Sequence, residues 1–149
     1  MKDLVPTDAQ FQAEFSTCRV TKASLARYYL RALELCNRGE AEPEFVPNED
    51  QSEVNLEHVL PENPAKGWTI KPDIAAAYYK RLGNLVLLKA TPNSVIGNEP
   101  FVAKRSELSK STYKLTEAAG NVADWGVDEI EARQKKLAEI AVKTWPLRA

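Results

Sequence analysis

Val54-Asn55-Leu56-Glu57-His58-Val59-Leu60-Pro61, followed downstream by Leu82-Gly83-Asn84-Leu85-Val86-Leu87-Leu88, is the part of this sequence that decides its fold. Both stretches are short, apolar and rich in branched side chains, and proline or glycine punctuates them, so they read as strands over 54–59 and 83–88. The first ends in an acid–histidine pair, the second opens on Asn84, and Asn93 falls nine positions later, where the second strand should give way to a short helix over 93–98. A pair of antiparallel strands crossed by that helix is the arrangement that converges these polar groups.

Working outward, helical signals surround this core. Thr7 and Gln10 have the spacing of a capping box, with Phe11 and Phe15 one turn apart behind them. From 22 to 37, Leu25, Tyr29, Ala32, Leu33 and Cys36 keep helical spacing until Gly39 offers a left-handed stop. Residues 39–52 are acidic and contain Pro43 and Pro47, which predicts a linker or loop. Residues 61–71 read as a loop and 73–81 as a helix. Further helices are expected over 100–108, with Pro100 in the first turn, and over 111–119, ended by Gly120. In the last helix Ile130, Leu137, Ala141 and Trp145 form an apolar stripe that includes Arg133. The expected fold class is α+β and predominantly α-helical, a two-stranded antiparallel core wrapped by helices. A single domain over 1–149 is expected, with a helical lead-in at 1–38, the linker at 39–52, the core at 53–98 and C-terminal helices at 99–149.

The 149 residues are 44% hydrophobic, enough for one core without covalent staples. No signal peptide opens the chain and no apolar run approaches the ~18 residues of a membrane span, so a cytoplasmic protein without membrane contact is expected. Cys18 and Cys36 are the only cysteines and form no CxxC pair, which excludes a disulfide framework and zinc knuckles and leaves two reduced core thiols. A formal net charge of −1 hides an uneven distribution. Residues 37–63 carry eight acids against Arg38, a net of −7, whereas residues 80–120 carry a net of +4. The basic excess lies just after the strand pair, where a phosphate backbone would need it.

His58 is the only histidine. With an ordinary pKa of ~6.5 a neutral imidazole accepts a proton from an attacking water near neutral pH. Glu57, its neighbour, points to the opposite face of a regular strand, so a bulge or a strand end is needed to bring both to one centre. Asn93 offers a carbonyl oxygen suited to a hard cation, and Glu57 with Asn93 would form a sparse site for Mg²⁺ (or Mn²⁺). Asn84 is placed to hold the inter-strand loop and orient His58, and so joins it in the expected catalytic set. Together these residues have the parts needed for metal-assisted hydrolysis of a phosphodiester. Lys89, Lys104, Arg105, Lys110 and Lys114 are candidate DNA-phosphate contacts, with a solvated helix face the equal alternative for Lys104 and Arg105. Arg133 reads as a brace through a buried ion pair, and Trp68, Trp125 and Trp145 as core rather than as base-stacking platforms.

The order acid–His, middle Asn and final Asn resembles an HNH (ββα-metal) nuclease. More specifically, Glu-His-Val-Leu-Pro, then Leu-Gly-Asn-Leu-Val-Leu-Leu, then Asn93 with Ile96, Gly97, Asn98, Phe101 and Lys104, then Ser111, Trp125, Ile130, Arg133, Leu137 and Trp145, resembles the HNH-like C-terminal domain of GmrSD-type restriction proteins. Pro6-Thr7-Asp8, Phe11 and the helix from Lys22 are similar to that family's lead-in, so the likeness covers nearly the whole chain. The resemblance implies a DNA-cleaving or nicking module of prokaryotic defence, partnered with an N-terminal nucleotide-hydrolysing sensor domain. It also implies His58 as general base, Glu57 and Asn93 as metal ligands and Asn84 as the middle Asn. No phosphate-binding G-x-x-x-x-G-K-[ST] loop occurs, so an excised domain or a stand-alone relative is expected. The alternative reading is a catalytically silent module that keeps the scaffold to bind DNA or dock a partner subunit.

Overall fold

Strands β1 (Val54–His58) and β2 (Leu85–Lys89) pair antiparallel, with Glu57 opposite Val86 and His58 opposite Leu85. They belong to a computed structural model that describes residues 5–39, 54–65, 67–89 and 97–147. Around them, among the described residues, lie six α-helices: α1 (Asp8–Phe15), α2 (Ala23–Arg38), α3 (Pro72–Tyr78), α4 (Phe101–Leu108), α5 (Lys114–Gly120) and α6 (Val127–Thr144). The fold is therefore α+β and mainly helical. No described helix is long and apolar enough to cross a membrane.

β2 is apolar from Leu85 to Leu88 because both faces of the sheet are covered. Successive strand residues point to opposite faces. Leu85 and Leu87 accordingly enter one core cluster with Leu30, Leu33, Leu137 and Ala141, while Val86 and Leu88 enter another with Phe101, Leu108, Trp125 and Ile130. The outer edge of β2 is closed by side chains: Thr116 Oγ1 donates to the Leu87 carbonyl at 2.6 Å and Arg133 Nη1 to the Leu85 carbonyl at 2.8 Å. Two of its outward carbonyls are thereby occupied, which blunts that edge toward another chain.

The second strand starts two residues later than the sequence suggests. Leu82–Asn84 forms a 3-10 turn instead, because α6 presses against it. The Gly83 N–H donates to Gln134 Oε1 at 3.1 Å, and a Cβ at Gly83 would lie 2.4 Å from the Ile130 carbonyl oxygen. Gln134 is itself fully buried and ties three segments together. Its Oε1 also accepts from Arg81 Nε at 2.9 Å, and its Nε2 donates to the Phe15 and Cys18 carbonyls at 3.0 and 2.8 Å.

Helix boundaries follow local chemistry. The Thr7–Gln10 capping box opens α1 with both of its bonds formed, and Gly39, at φ 69°, ends α2. α3 stops at Tyr78 rather than near 81, because the chain leaves it to bond with the segment after α1: Val20 N–H donates to Lys80 O at 2.8 Å and Leu82 N–H to Cys18 O at 3.3 Å. α5 begins at Lys114 rather than 111. Its cap comes from another helix, since the buried Glu34 carboxylate of α2 accepts from the Lys114 and Leu115 N–H groups at 2.6 and 3.0 Å and from Arg38 Nε at 2.9 Å. A carboxylate there satisfies orphan donors and complements the helix dipole. Both cysteines are free thiols. The expected acidic linker, apart from Gly39, and residues 93–96 of the expected short helix lie outside the described residues; Gly97 and Asn98 form a turn.

The Gly83–α6 contact is testable. Gly83→Ala forces a methyl group onto the Ile130 backbone and should cost about 3 kcal/mol or more in urea denaturation, at the upper end of overpacking effects. A change below ~0.5 kcal/mol, typical of unconstrained surface positions, would contradict the close approach.

Candidate active site

His58 is the last residue of β1, and the strand ending is what lets it share a groove with Glu57. The two side chains line one open groove of about 280 Å³, together with Pro61, Glu62, Asn63, Tyr79, Gly97 and Asn98. The His58 ring stacks on Tyr79, centroids 4.1 Å apart and planes inclined by 18°. It is half-buried, and burial, followed by the positive charges of Lys104 and Lys80, lowers its pKa from 6.5 to about 4. The imidazole is therefore neutral at physiological pH and able to accept a proton. Tyr79 is pushed upward by burial and by the carboxylates of Glu62 and Glu57, so its phenol stays protonated.

Asn84 does not line this groove; it builds it. The residue is fully buried, and its amide is saturated. Oδ1 accepts from the Leu60 N–H at 2.8 Å and from Trp125 Nε1 at 3.0 Å, while Nδ2 donates to the Leu60 carbonyl at 2.9 Å and the Tyr79 carbonyl at 3.0 Å. The Asn84 carbonyl also accepts from the Val59 N–H at 3.0 Å. One residue thus fixes the chain just after His58 and the backbone of the ring stacked on it. Its side chain is spent on main-chain groups and the Trp125 indole and leaves no surface facing the groove.

Lys104 departs most from its expected place. It is neither a phosphate contact nor part of a solvated face, because its side chain is fully buried, and Nζ donates to Glu57 Oε1 at 3.0 Å and to the His58 carbonyl at 2.9 Å. Position four in α4 faces the sheet with Phe101 and Leu108. Burial lowers the Lys104 pKa against the opposing effect of Glu57, and burial raises that of Glu57 against the effect of Lys104. Lys89 and Arg105 are exposed. Lys110 and Lys114 are exposed as well, each beside a glutamate of its own helical turn region, Glu107 at 4.0 Å and Glu117 at 3.1 Å. Among the described residues, Arg133 braces the core through carbonyls rather than through an ion pair. Nη1 donates to the Gly83 and Leu85 carbonyls at 2.9 and 2.8 Å, and burial, partly offset by Glu34, lowers its pKa to about 10. Trp125 is core, as expected, and its indole N–H goes to Asn84.

Tyr79 and Lys80 were invisible as site residues in the sequence, since their direction depends on where α3 stops. Asn93 lies outside the described residues. Among the described residues no three His, Cys, Asp or Glu side chains gather to hold a metal ion. The oxygen donors of Glu57, Glu62, Asn63 and Asn98 around the groove nevertheless suit a hard divalent cation, which takes few protein ligands and keeps several waters. Lys104 engages only Oε1 of Glu57, so Oε2 forms no hydrogen bond among the described residues.

Helices thus bury a two-stranded sheet, and a histidine and a carboxylate line one groove at its strand end. Residues 5–140 match the family model described as GmrSD restriction endonucleases, C-terminal domain, and the chain belongs to that family. No curated protein matches the chain. Membership puts it among restriction-endonuclease domains, a class of nucleases that act on DNA.

Because His58 is the sole histidine, its ring signals are unambiguous by NMR. They should titrate near pH 4 in the metal-free protein. The unfolded chain binds this proton at the ordinary 6.5. The stability that a neutral His58 contributes is therefore complete above that pH and is lost progressively as pH falls from 6.5 toward 4. A ring titrating at 6.5 or higher would contradict the buried, cation-flanked environment.

Proposed function

We propose that the chain is an HNH-type, metal-dependent DNA endonuclease or nickase domain, the effector part of a prokaryotic modification-dependent restriction or anti-phage defence protein that works in the cytoplasm. The observation that carries this reading is the His58 ring stacked on Tyr79 beside the Glu57 carboxylate on one open groove. His58 accepts the proton of an attacking water. Glu57 and Asn93 are the proposed ligands of Mg²⁺ or Mn²⁺, and the cation, when bound, supplies neutralisation of phosphate charge and stabilisation of the leaving oxygen. Asn84 and Tyr79 keep the ring in one orientation, so little reorganisation is needed when substrate enters. We take residues 1–149 as one domain whose nuclease core spans 53–98.

Lys89, Arg105, Lys110 and Lys114 remain the proposed DNA contacts. Contacts to phosphates position a duplex without reading its sequence, so specificity is assigned to a partner, an N-terminal nucleotide-hydrolysing sensor domain or subunit. One observation favours a second reading, a silent module that binds DNA or docks a subunit without cutting: Glu57 is already paired with Lys104.

Supercoiled plasmid distinguishes the two. The wild-type protein should convert it to open-circular or linear DNA with Mg²⁺ or Mn²⁺ and not with EDTA. His58→Ala should slow that conversion by ~10²- to 10⁴-fold with an unchanged circular dichroism spectrum, the usual loss for a general base. Undiminished cleavage by His58→Ala would make the histidine structural, and an intact plasmid with every divalent ion, despite DNA binding, would establish the silent module.

A further inference from the structure

A fully buried lysine needs a reason, because an ammonium group taken from water is costly unless it is paired and hydrogen-bonded. Lys104 has two partners, the Glu57 carboxylate and the His58 carbonyl, and both belong to the two residues whose side chains line the groove. A lysine that merely stapled α4 to the sheet would need no carboxylate from the groove, since a single outward carbonyl of β1 would serve. This one grips the acid and the base at the strand end.

We propose that Lys104 is a positioning residue of the active site, one that fixes the Glu57 carboxylate through Oε1 and the main chain carrying the His58 ring through its carbonyl, without touching DNA. The inference rests on the nuclease reading given above. Asn84 holds the chain from the far side, at Leu60 and Tyr79, so His58 lies between two clamps, one on its own carbonyl and one starting at the residue after it. The ammonium leaves Glu57 Oε2 without a hydrogen bond among the described residues, and Glu57 is the less buried partner, its side chain retaining 19% exposure against none for Lys104. The carboxylate is thus held by one oxygen and keeps the other for a cation. α4 contributes the lysine by its helical phase alone, since Phe101, Lys104 and Leu108 share its buried face.

The test compares Lys104→Met with wild type in two measurements: nicking rate at saturating Mn²⁺, and the NMR shifts of the single histidine ring without metal. Lys104→Met should lower the saturated rate by ~10- to 10²-fold, as small misplacements of catalytic groups do, and should shift the His58 ring signals while the protein stays folded at the assay temperature. A folded Lys104→Met with the wild-type rate and wild-type ring shifts overturns the proposal. If Lys104→Met does not fold, since it leaves Glu57 without its partner, the comparison moves to Glu57→Gln, in which the ammonium keeps the His58 carbonyl and the new amide oxygen as acceptors, against Glu57→Gln/Lys104→Met, which removes both charges. The ammonium–His58 carbonyl bond then survives only in the single variant, so the ring signals must differ between the two, and identical signals overturn the proposal. A wild-type protein that cuts nothing overturns the nuclease reading, and with it a role for Lys104 in catalysis, whatever the ring signals do.

Discussion

The Asn84 amide makes four hydrogen bonds in a place that water does not reach, and those bonds join the strand exit after His58, the end of α3 at Tyr79 and the indole of Trp125. The Leu60 N–H, the Leu60 carbonyl and the Trp125 indole are buried groups, each of which would lose about 1–3 kcal/mol without its bond, and the Tyr79 carbonyl is half-buried. The amide is also directional. Both donors face carbonyls and both acceptor positions face N–H groups, so the geometry allows one orientation only. With that residue in place the His58–Tyr79 stack is determined from both sides. Without its amide, the chain leaving β1 and the Tyr79 carbonyl each lose a clamp, and the Lys104 bond to the His58 carbonyl is left to hold the strand end.

Three further polar groups of the interior work in the same manner. Glu34 caps a helix that does not contain it, Gln134 joins α6 to the segment after α1 and to the turn before β2, and Arg133 closes the edge of β2. None sits in the groove. They use hydrogen bonds to fix elements that a two-stranded sheet is too small to organise, since such a pair has marginal stability unless other elements pack on it. The two apolar clusters supply that packing, one on each face.

Much of the fold was legible from the sequence because periodicity and caps are local. The capping box at Thr7, the glycine stop at Gly39 and the strand at Val54 follow from neighbouring residues and the apolar pattern, and the antiparallel pairing from the need to bring the polar groups of both strands together. The errors came from tertiary contacts. Gly83 and Asn84 look like strand but are held as a 3-10 turn by α6, and the late start of α5 depends on a carboxylate 80 residues away in sequence. Lys104 shows the same limit at the site. Its charge suggested phosphate, and only the phase of α4 against the sheet reveals that it turns inward. The acid–His pair was readable as a motif, whereas the stack on Tyr79 was not, because it requires knowing where α3 ends.

Glu57 and His58 face one groove, and the proposed function requires that groove to accept a divalent cation. Paramagnetic broadening by Mn²⁺ tests it most directly. Substoichiometric Mn²⁺ should broaden the His58 ring signals selectively, leave the indole signal of Trp145 in the opposite core sharp, and lose this effect in Glu57→Ala. Sharp His58 signals in excess Mn²⁺, or equal broadening of His58 and Trp145, would contradict the account.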